Sequence, residues 1–311
     1  MNDGSAPLPR TFAERLRAGR FVMTAEVAPP VSCDAQDLLR KATPLRGLAD
    51  AVNVTDGAGA RAHMGALAAA NILLEAGIEP ILQITCRDKN RIALQSELMG
   101  AAALGIRNIL VLTGDDPKAG DQPDTKPVFD IDSKTLLETA RRLRDEAKLP
   151  TGREVAGKAP FFLGGADMPI DPPADWQPNS LRGKVAAGAQ FVQTQFCMDA
   201  ALIRRYVGVL AQAGLTKQLA ILIGINPLRS AKSAQWMKTH LFGTIIPDAL
   251  VTRMEKAADP AREGVRICVD LIQELAGIPG VAGVHIMAPG NDAAIPEVIA
   301  EARQRVQKAA V

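Results

Sequence analysis

The sequence is poor in aromatic residues and in net charge. Only 4% of its 311 residues are aromatic, with a single Tyr, which argues against a base-stacking surface for single-stranded nucleic acid. Its formal net charge of +2 is too small to attract nucleic acid or an anionic membrane. No apolar run approaches the roughly 20 residues that a membrane-spanning helix needs. We therefore expect neither nucleic acid nor a membrane as a partner.

Cysteine is also scarce. The four cysteines form no CxxC pair, and residues 1–10 contain no apolar stretch typical of a secretory signal. This pattern predicts free thiols in a reducing cytoplasm. The spacings do not match a four-cysteine zinc site, so no metal is predicted. The cysteines are Cys33, Cys86, Cys197 and Cys268.

The chain does contain eight short apolar runs, separated by segments with helical periodicity. An eightfold alternation of strand and helix is typical of a closed parallel (β/α)8 TIM barrel. Single barrels with insertions reach this chain length. The runs are Phe21–Val27, Ala51–Val54, Pro80–Ile84, Ile109–Leu112, Phe161–Leu163, Phe191–Val192, Leu219–Ile223 and Gly283–Met287.

The predicted organisation is one barrel domain with a short lead-in. Residues 1–19 form the lead-in, with a short helix at Thr11–Arg17, and residues 20–311 form the α/β barrel. Two further helical segments, Pro247–Ala257 and Pro260–Ala276, predict an extra helix before the last strand.

The barrel mouth is predicted where the strands end. Two long loops rich in Pro, Gly114–Asp132 and Gly164–Asn179, follow the fourth and fifth runs. Loops of this length at the C-terminal ends of barrel strands are where such folds bind ligands. A helix is predicted over Ala60–Ala76, because its Ala and Leu residues recur at helical spacing.

Glu26 lies inside the first apolar run, between Ala25 and Val27. A buried carboxylate is costly unless it is paired or neutral. Burial raises the pKa of a carboxyl group, which suits a general acid near neutral pH. Two interpretations are equally open: a general acid, or a structural glutamate paired with a Lys or Arg of the barrel.

Other polar residues follow or end later runs. Asp115 comes after NILVLTG, where a turn or a helix cap is the simpler interpretation. Gln195 shares a strand face with Gln193, and a buried amide can bind a heterocycle edge or hydrogen-bond within the barrel. Asn226 follows the seventh run. His285, alone on the last strand, is more often a core histidine than a ligand.

The turn Thr55–Ala60, with sequence TDGAGA, leads into a predicted helix. Its backbone N–H groups could cradle a phosphate at the helix N-terminus. The spacing differs from the dinucleotide GxGxxG motif, so the turn alone is a weak signal.

Taken in order, these segments resemble the catalytic barrel of methylenetetrahydrofolate reductases over about residues 20–305. The resemblance rests on the order, spacing and strand-end positions of several motifs. They are TAEVAPP with Glu26, VNVTDGAG, ILQITCRDKN, ILVLTGDDP with Asp115, LRGKVAAGAQFVQTQFCMD with Gln195, IGINPLRS, and the tail from IPDALVTRM to VHIMAPGN.

The resemblance implies an enzyme that moves a hydride from NADH or NADPH, through FAD, to 5,10-methylenetetrahydrofolate, giving 5-methyltetrahydrofolate. It makes Glu26 the general acid that protonates the folate ring nitrogen, and Asp115 the carboxylate beside flavin and pterin. Gln195, Asn226 and His285 become substrate-binding residues. The expected cofactor-binding residues are Thr55, Asp56, Gln83, Thr113, Gly114 and Lys184.

Four positions depart from the family pattern. Asp56 stands where the family has Tyr, Gln83 where it has His, Thr113 where it has Arg, and Ala231 where it has an aromatic residue. Thr113 removes a phosphate partner, and Asp56 places a negative charge near the pyrophosphate. Each loss costs on the order of 1–3 kcal/mol if nothing compensates. We therefore expect weak FAD binding.

Three alternatives remain at this point. One is a flavin-poor or flavin-free relative that works in the oxidative direction in one-carbon metabolism. Another is a non-redox folate-binding barrel. An aldolase or decarboxylase barrel with a Schiff-base lysine is disfavoured, because no strand-like run carries an interior Lys. A cytoplasmic homo-oligomer is the expected form.

Overall fold

Eight parallel strands close into a barrel in the computed structural model, which describes residues 11–309. The strands are neighbours in sequence order, and the last pairs with the first. The (β/α)8 prediction is therefore confirmed. The first ten residues of the predicted lead-in lie outside the described residues. The strands are β1 Val22–Val27, β2 Ala51–Val54, β3 Pro80–Thr85, β4 Asn108–Leu112, β5 Phe162–Asp167, β6 Phe191–Phe196, β7 Ala220–Ile225 and β8 Val281–Ile286.

Strands β5 and β6 extend well past the apolar runs that predicted them. The pair Gly164 and Gly165 interrupts the apolar pattern of β5, which continues to Asp167. In β6 the polar residues Gln193 and Gln195 alternate with outward-facing residues, so the strand reaches Phe196. Polar side chains inside a barrel hide a strand from a search for apolar runs.

Helices α1 to α11 surround the barrel, and several begin at an Asp, Asn or Ser side chain that caps their first N–H groups. The predicted extra helical segments are present as α9 and α10. The helices are α1 Phe12–Arg17, α2 Ala35–Ala42, α3 Ala66–Glu75, α4 Arg91–Ala103, α5 Ser133–Asp145, α6 Asn179–Ala186, α7 Ala200–Gln212, α8 Ala231–His240, α9 Asp248–Glu255, α10 Pro260–Ala276 and α11 Ile295–Ala309.

The helix predicted from Ala60 begins later, at Ala66. Gly57, Gly59 and Ala60 all have positive φ angles, of 61°, 63° and 54°. A right-handed helix cannot contain these conformations, so residues 57–60 form a separate turn at the barrel mouth.

The barrel interior changes from apolar to polar along its axis. Its N-terminal end, the bottom, is filled by apolar residues of alternate strand positions, among them Val22, Ile81, Phe191 and Leu222. Phe12 of α1 closes this end, with its ring 5.3 Å from that of Phe191 in an edge-on arrangement. The interior side chains of the next layer, toward the C-terminal ends of the strands, are polar. They therefore lie on the side of the barrel mouth.

The cap on the bottom is held by Glu79. Its carboxylate accepts the backbone N–H of Phe12 at 2.9 Å and the Asn108 side-chain amide at 2.9 Å. Burial raises the pKa of Glu79, although these hydrogen bonds oppose the shift. None of the helices within residues 11–309 combines the length and the apolar character needed to cross a membrane.

Candidate active site

Glu26 stands at the C-terminal end of β1 and points into the barrel mouth, with 22% of its side chain exposed. The amide of Gln83 on β3 donates to its Oε2 atom at 3.2 Å. Nε2 of His285 on β8 lies 3.6 Å from the same oxygen. Among the described residues, no Lys or Arg contacts Glu26 and no group hydrogen-bonds to its Oε1. The alternative of a glutamate paired with a barrel cation is therefore wrong.

A buried polar network lies directly below Glu26. Nδ1 of His285 is 3.0 Å from Oγ1 of Thr24, which also accepts the Gln193 amide at 3.1 Å. Gln193 and Asn53 exchange two hydrogen bonds, of 2.6 and 3.0 Å. All four side chains are buried. Gln193 is therefore engaged in hydrogen bonds within the barrel interior.

A second carboxyl group lies close to Glu26. Asp292 follows β8 in a short turn, and its carboxylate is 3.8 Å from the Lys41 ammonium. Burial raises the pKa of Asp292, and the charge of Glu26 adds to the rise while Lys41 opposes it. The mouth beside Glu26 thus carries two acids and one cation.

Gln195 is half-buried at the end of β6, and backbone groups bind both ends of its amide. Its nitrogen donates to the carbonyl oxygen of Phe242 at 3.2 Å, and its oxygen accepts the Phe196 N–H at 2.9 Å. This arrangement attaches the segment 241–246, which follows α8, to the barrel rim.

The segment 241–246 brings an aromatic ring to the mouth. Ile245 continues the sheet beyond β6, with its N–H bonded to the Phe196 carbonyl and its own carbonyl to the Met198 N–H. Phe242 is 83% exposed, and the partly exposed Met168 lies against neighbouring Gly243. Phe242 could not be identified from the sequence, because its exposed ring belongs to no periodic pattern.

Two other predicted substrate-binding residues are engaged inside the protein. The Asn226 amide donates to the Met287 carbonyl at 2.9 Å, which links the end of β7 to the segment after β8. His285 is buried and faces Glu26 and Thr24. In this structure Asn226 and His285 are placed to support the rim and the acid.

Asp115 and the turn at residues 57–60 meet across the rim. Oδ2 of Asp115 accepts the Gly59 N–H at 3.0 Å, and the Asp115 side chain is otherwise exposed. Gly114 has a φ of 99°, and a Cβ there would lie 2.9 Å from the Cβ of Arg87. Arg87 is buried and donates to the Gly57 carbonyl at 3.1 Å. Arg87, which sequence reasoning missed, holds the two loops together.

Asp56 is neutralised locally. Its Oδ2 accepts the Thr85 N–H and hydroxyl, both at 2.9 Å, and lies 3.0 Å from the Lys89 ammonium. Lys89 also binds Glu97 at 2.7 Å. Burial by itself lowers the pKa of Lys89. The carboxylates of Asp56 and Glu97 outweigh that effect, so the pKa of Lys89 is raised. The repulsion of a pyrophosphate expected from Asp56 is therefore offset by the half-buried Lys89 cation.

The remaining predicted cofactor residues differ in their freedom to bind a ligand. Thr55 is buried, and its Oγ1 has no hydrogen-bond partner among the described residues. Thr113 is exposed, and within residues 11–309 its hydroxyl reaches only Ser133, at 3.5 Å. The orphaned Thr55 hydroxyl is the kind of atom that a bound ligand satisfies.

Lys184, expected to bind the cofactor, is bound by side chains of the protein instead. Its ammonium donates to Ser180 at 2.7 Å and lies 3.8 Å from Asp167. A Cβ on Gly165 would contact the Lys184 stem at 3.2 Å, which places this lysine on the outer face of β5. Asp167 also accepts the Tyr206 hydroxyl, and burial raises its pKa.

The chain is similar in sequence to one known family and to several proteins within it. The family model described as methylenetetrahydrofolate reductase matches residues 11–303. A probable methylenetetrahydrofolate reductase (NADPH) of Caenorhabditis elegans is 27% identical over 241 residues, covering 74% of this chain and 33% of that protein. Methylenetetrahydrofolate reductase 1 of Schizosaccharomyces pombe is 24% identical over 287 residues, covering 87% and 44%. The chain thus spans less than half the length of these relatives.

Solved structures share the fold. DmoA from Hyphomicrobium sulfonivorans matches with a TM-score of 0.57 at 13% identity, covering 92% of this chain and 88% of that one. EDTA monooxygenase (EmoA) from Chelativorans sp. BNC1 matches with a TM-score of 0.55 at 14% identity, covering 93% and 94%. At these identities the likeness concerns the barrel alone. Because the family model extends over nearly the whole chain, the protein belongs to the methylenetetrahydrofolate reductase family.

Proposed function

We propose that the protein interconverts 5,10-methylenetetrahydrofolate and 5-methyltetrahydrofolate, with NADH or NADPH as co-substrate and FAD as hydride carrier. The observation that carries the proposal is the environment of Glu26. Its carboxyl group lies at the mouth of a closed barrel, free of any cation within the described residues, with Oε1 unbound. Family membership supplies the folate-related reductase chemistry.

In this proposal Glu26 delivers a proton from Oε1 to the ring nitrogen of the bridged folate, which opens the bridge and leaves a carboxylate. Gln83 stabilises that carboxylate through its bond to Oε2. Gln195 and Phe242 border the opening where the flat pterin ring would enter. A bound FAD would supply the hydride transfer between the nicotinamide and the folate.

Thr55 supports the presence of a cofactor, because its buried hydroxyl lacks a partner in the described part of the chain. Two features favour weak binding. Lys184 is already bound by Asp167 and Ser180, and Thr113 offers a hydroxyl where a cation is expected by resemblance. We therefore propose a member of the family that binds FAD weakly and is purified with little of it.

The test is a stopped-flow measurement of the two half-reactions after adding FAD. In Glu26→Gln, reduction of flavin by NADH or NADPH should stay within about twofold of wild type, because that step needs no proton donor. Reoxidation by 5,10-methylenetetrahydrofolate should fall by on the order of 10²–10⁴-fold. The matched control is Glu138→Gln, an exposed glutamate on α5. An equal loss in both half-reactions contradicts the general-acid role.

A flavin-free reaction is the second candidate. It is favoured because the Lys184 ammonium, expected by resemblance to bind the cofactor, is already bound by Asp167 and Ser180. The absorbance spectrum of the purified protein before and after addition of FAD separates the two. Folate-dependent oxidation of the nicotinamide by protein without flavin would support the second candidate. A strict requirement for added FAD would exclude it.

A further inference from the structure

Two side chains, from strands on either side of β1, approach a single oxygen of Glu26. Gln83 donates to Oε2 at 3.2 Å, and Nε2 of His285 lies 3.6 Å from it, just beyond hydrogen-bonding distance. Oε1 has no partner among the described residues. The two carboxyl oxygens are therefore unequal: one is held by the protein, and the other faces the opening.

We infer that His285 is a positioning residue, which holds its proton on Nε2 and directs it at Oε2 of Glu26, so that the proton delivered to the substrate is carried on Oε1. Thr24 fixes this tautomer by donating its hydroxyl proton to Nδ1. The inference rests on the proposed general-acid role of Glu26, and it replaces the expectation that His285 binds substrate.

The hydrogen bonds around Thr24 are compatible with this tautomer, and the position of the Glu26 carboxyl group favours it. The hydroxyl has one proton, and its oxygen lies 3.0 Å from Nδ1 of His285 and 3.3 Å from the Val284 carbonyl. The shorter contact takes the proton if Nδ1 is bare. In the other tautomer, the lone pair of Nε2 would face Oε2, an oxygen that already accepts a hydrogen bond from Gln83, and two acceptor atoms facing each other repel.

The Gln193–Asn53 pair orients Thr24. Gln193 donates to Oγ1 at 3.1 Å, so the hydroxyl oxygen is an acceptor on that side and its proton must point elsewhere. The pair is closed by the two Gln193–Asn53 hydrogen bonds, and both residues are buried. A buried, mutually bonded amide pair is a rigid support for the residues above it.

The proton step then balances within the protein. The O–H bond at Oε1 breaks as the N–H bond of the folate forms, and the electron pair stays on the Glu26 carboxylate. The new negative charge faces the N–H groups of Gln83 and His285. In the described part of the chain, Asp292 interacts with Glu26, Lys41 lies 3.8 Å from Asp292, and neither Asp292 nor Lys41 forms a hydrogen bond or ion pair with Oε2.

The first test needs no substrate. The chain has three histidines, and ring-15N-labelled protein reports the tautomer of each by NMR, with His285→Gln assigning the His285 signals. We expect the wild-type His285 to carry its proton on Nε2. A proton on Nδ1 would overturn the inference, whether or not the protein reduces folate.

The second test uses Thr24→Val, which keeps the shape and removes the hydroxyl, with Thr24→Ser as the matched control. Thr24→Val should slow folate reduction on the order of tenfold through kcat, a fraction of the 10²–10⁴-fold effect of a positioned acid. KM and flavin reduction by nicotinamide should stay unchanged. The pH profile of kcat should shift, and Thr24→Ser should restore it.

Thr24→Val also separates the inference from the proposed function. If wild-type protein turns over folate but Thr24→Val leaves the tautomer, kcat and pH profile unchanged, the positioning role is wrong. If wild-type protein does not turn over folate, the proposed function fails, and the NMR tautomer alone decides the arrangement of His285. If Thr24→Val does not fold, the NMR measurement of the His285 tautomer in wild-type protein still tests the inference.

Discussion

The side-chain amide of Gln195 donates a hydrogen bond of 3.2 Å to the carbonyl oxygen of Phe242. This bond, with the backbone pairing of Ile245 and β6, fixes the segment 241–246 beside the mouth. An exposed aromatic ring on a fixed backbone loses little conformational freedom when a flat ligand covers it. We therefore expect Phe242 to supply the aromatic contact that the resemblance leads one to expect at Ala231.

Phe242→Ala should raise the KM for the folate substrate and leave flavin reduction unchanged. The expected factor is about two- to twelvefold, which corresponds to the roughly 0.5–1.5 kcal/mol of an aromatic contact. Steady-state kinetics measures it. Leu104→Ala is the control, since Leu104 is an exposed apolar residue at the end of α4, away from the mouth. An unchanged KM would remove Phe242 from the substrate site.

Asp115→Asn should make bound flavin easier to reduce. The carboxylate projects from the rim with one oxygen on the Gly59 N–H, and an asparagine oxygen can keep that bond. The substitution therefore removes the charge while the loop contact remains. Removing an anion beside a flavin favours the reduced, more negative form, so the midpoint potential should rise. Spectroelectrochemical titration checks this, and a fall or no shift would place Asp115 away from the flavin.

The closed barrel and the position of Glu26 could be predicted from sequence, because both follow from apolar runs and their C-terminal ends. The partners of Glu26 could not. Gln83 and His285 belong to β3 and β8, and which interior side chains meet depends on the stagger of strands around the barrel. The same holds for Asp56. The sequence indicates a negative charge at this position, but it does not indicate that the Lys89 ammonium lies 3.0 Å from it.

Stability should depend on pH through Glu79 beneath the barrel. Burial raises the pKa of the folded carboxyl group above its usual 4.5, so the folded state holds the proton more tightly than the unfolded state. The free energy of unfolding therefore falls as pH rises from about 4.5 through the folded pKa. Glu79→Gln removes this loss, so its stability relative to wild type should improve as pH rises.

Urea unfolding between about pH 2 and 7, a range that covers the titration of both Glu79 and Asp171, measures the difference between the Glu79→Gln variant and wild type. Asp171→Asn gives the opposite sign, because the Arg205 hydrogen bond lowers the pKa of Asp171, so its contribution is present above the unfolded value and lost on acidification. A flat difference for Glu79→Gln would mean that its hydrogen bonds with Phe12 and Asn108 cancel the effect of burial.

Thr55→Val should stabilise the flavin-free protein and weaken its binding of FAD. The buried Oγ1 has no partner in the described part of the chain, so replacing it with a methyl group removes a desolvation cost of about 1 kcal/mol without breaking a bond. If FAD satisfies this hydroxyl, the variant loses that bond, and the dissociation constant rises about two- to twelvefold, for roughly 0.5–1.5 kcal/mol. Calorimetric binding and urea unfolding of the flavin-free protein measure the two effects separately.

The opposite result is expected at a neighbouring position on the same rim. Thr85→Val removes a hydroxyl that donates to Asp56 at 2.9 Å, so it should lower the free energy of unfolding. The opposite changes in the free energy of unfolding distinguish the two hydroxyl groups. That of Thr55 has no partner until a ligand binds, whereas that of Thr85 stabilises the rim. If Thr55→Val destabilises the flavin-free protein, the hydroxyl has a partner within the chain. If FAD binding is unchanged, the cofactor lies elsewhere in the mouth, and Thr55 has no part in holding it.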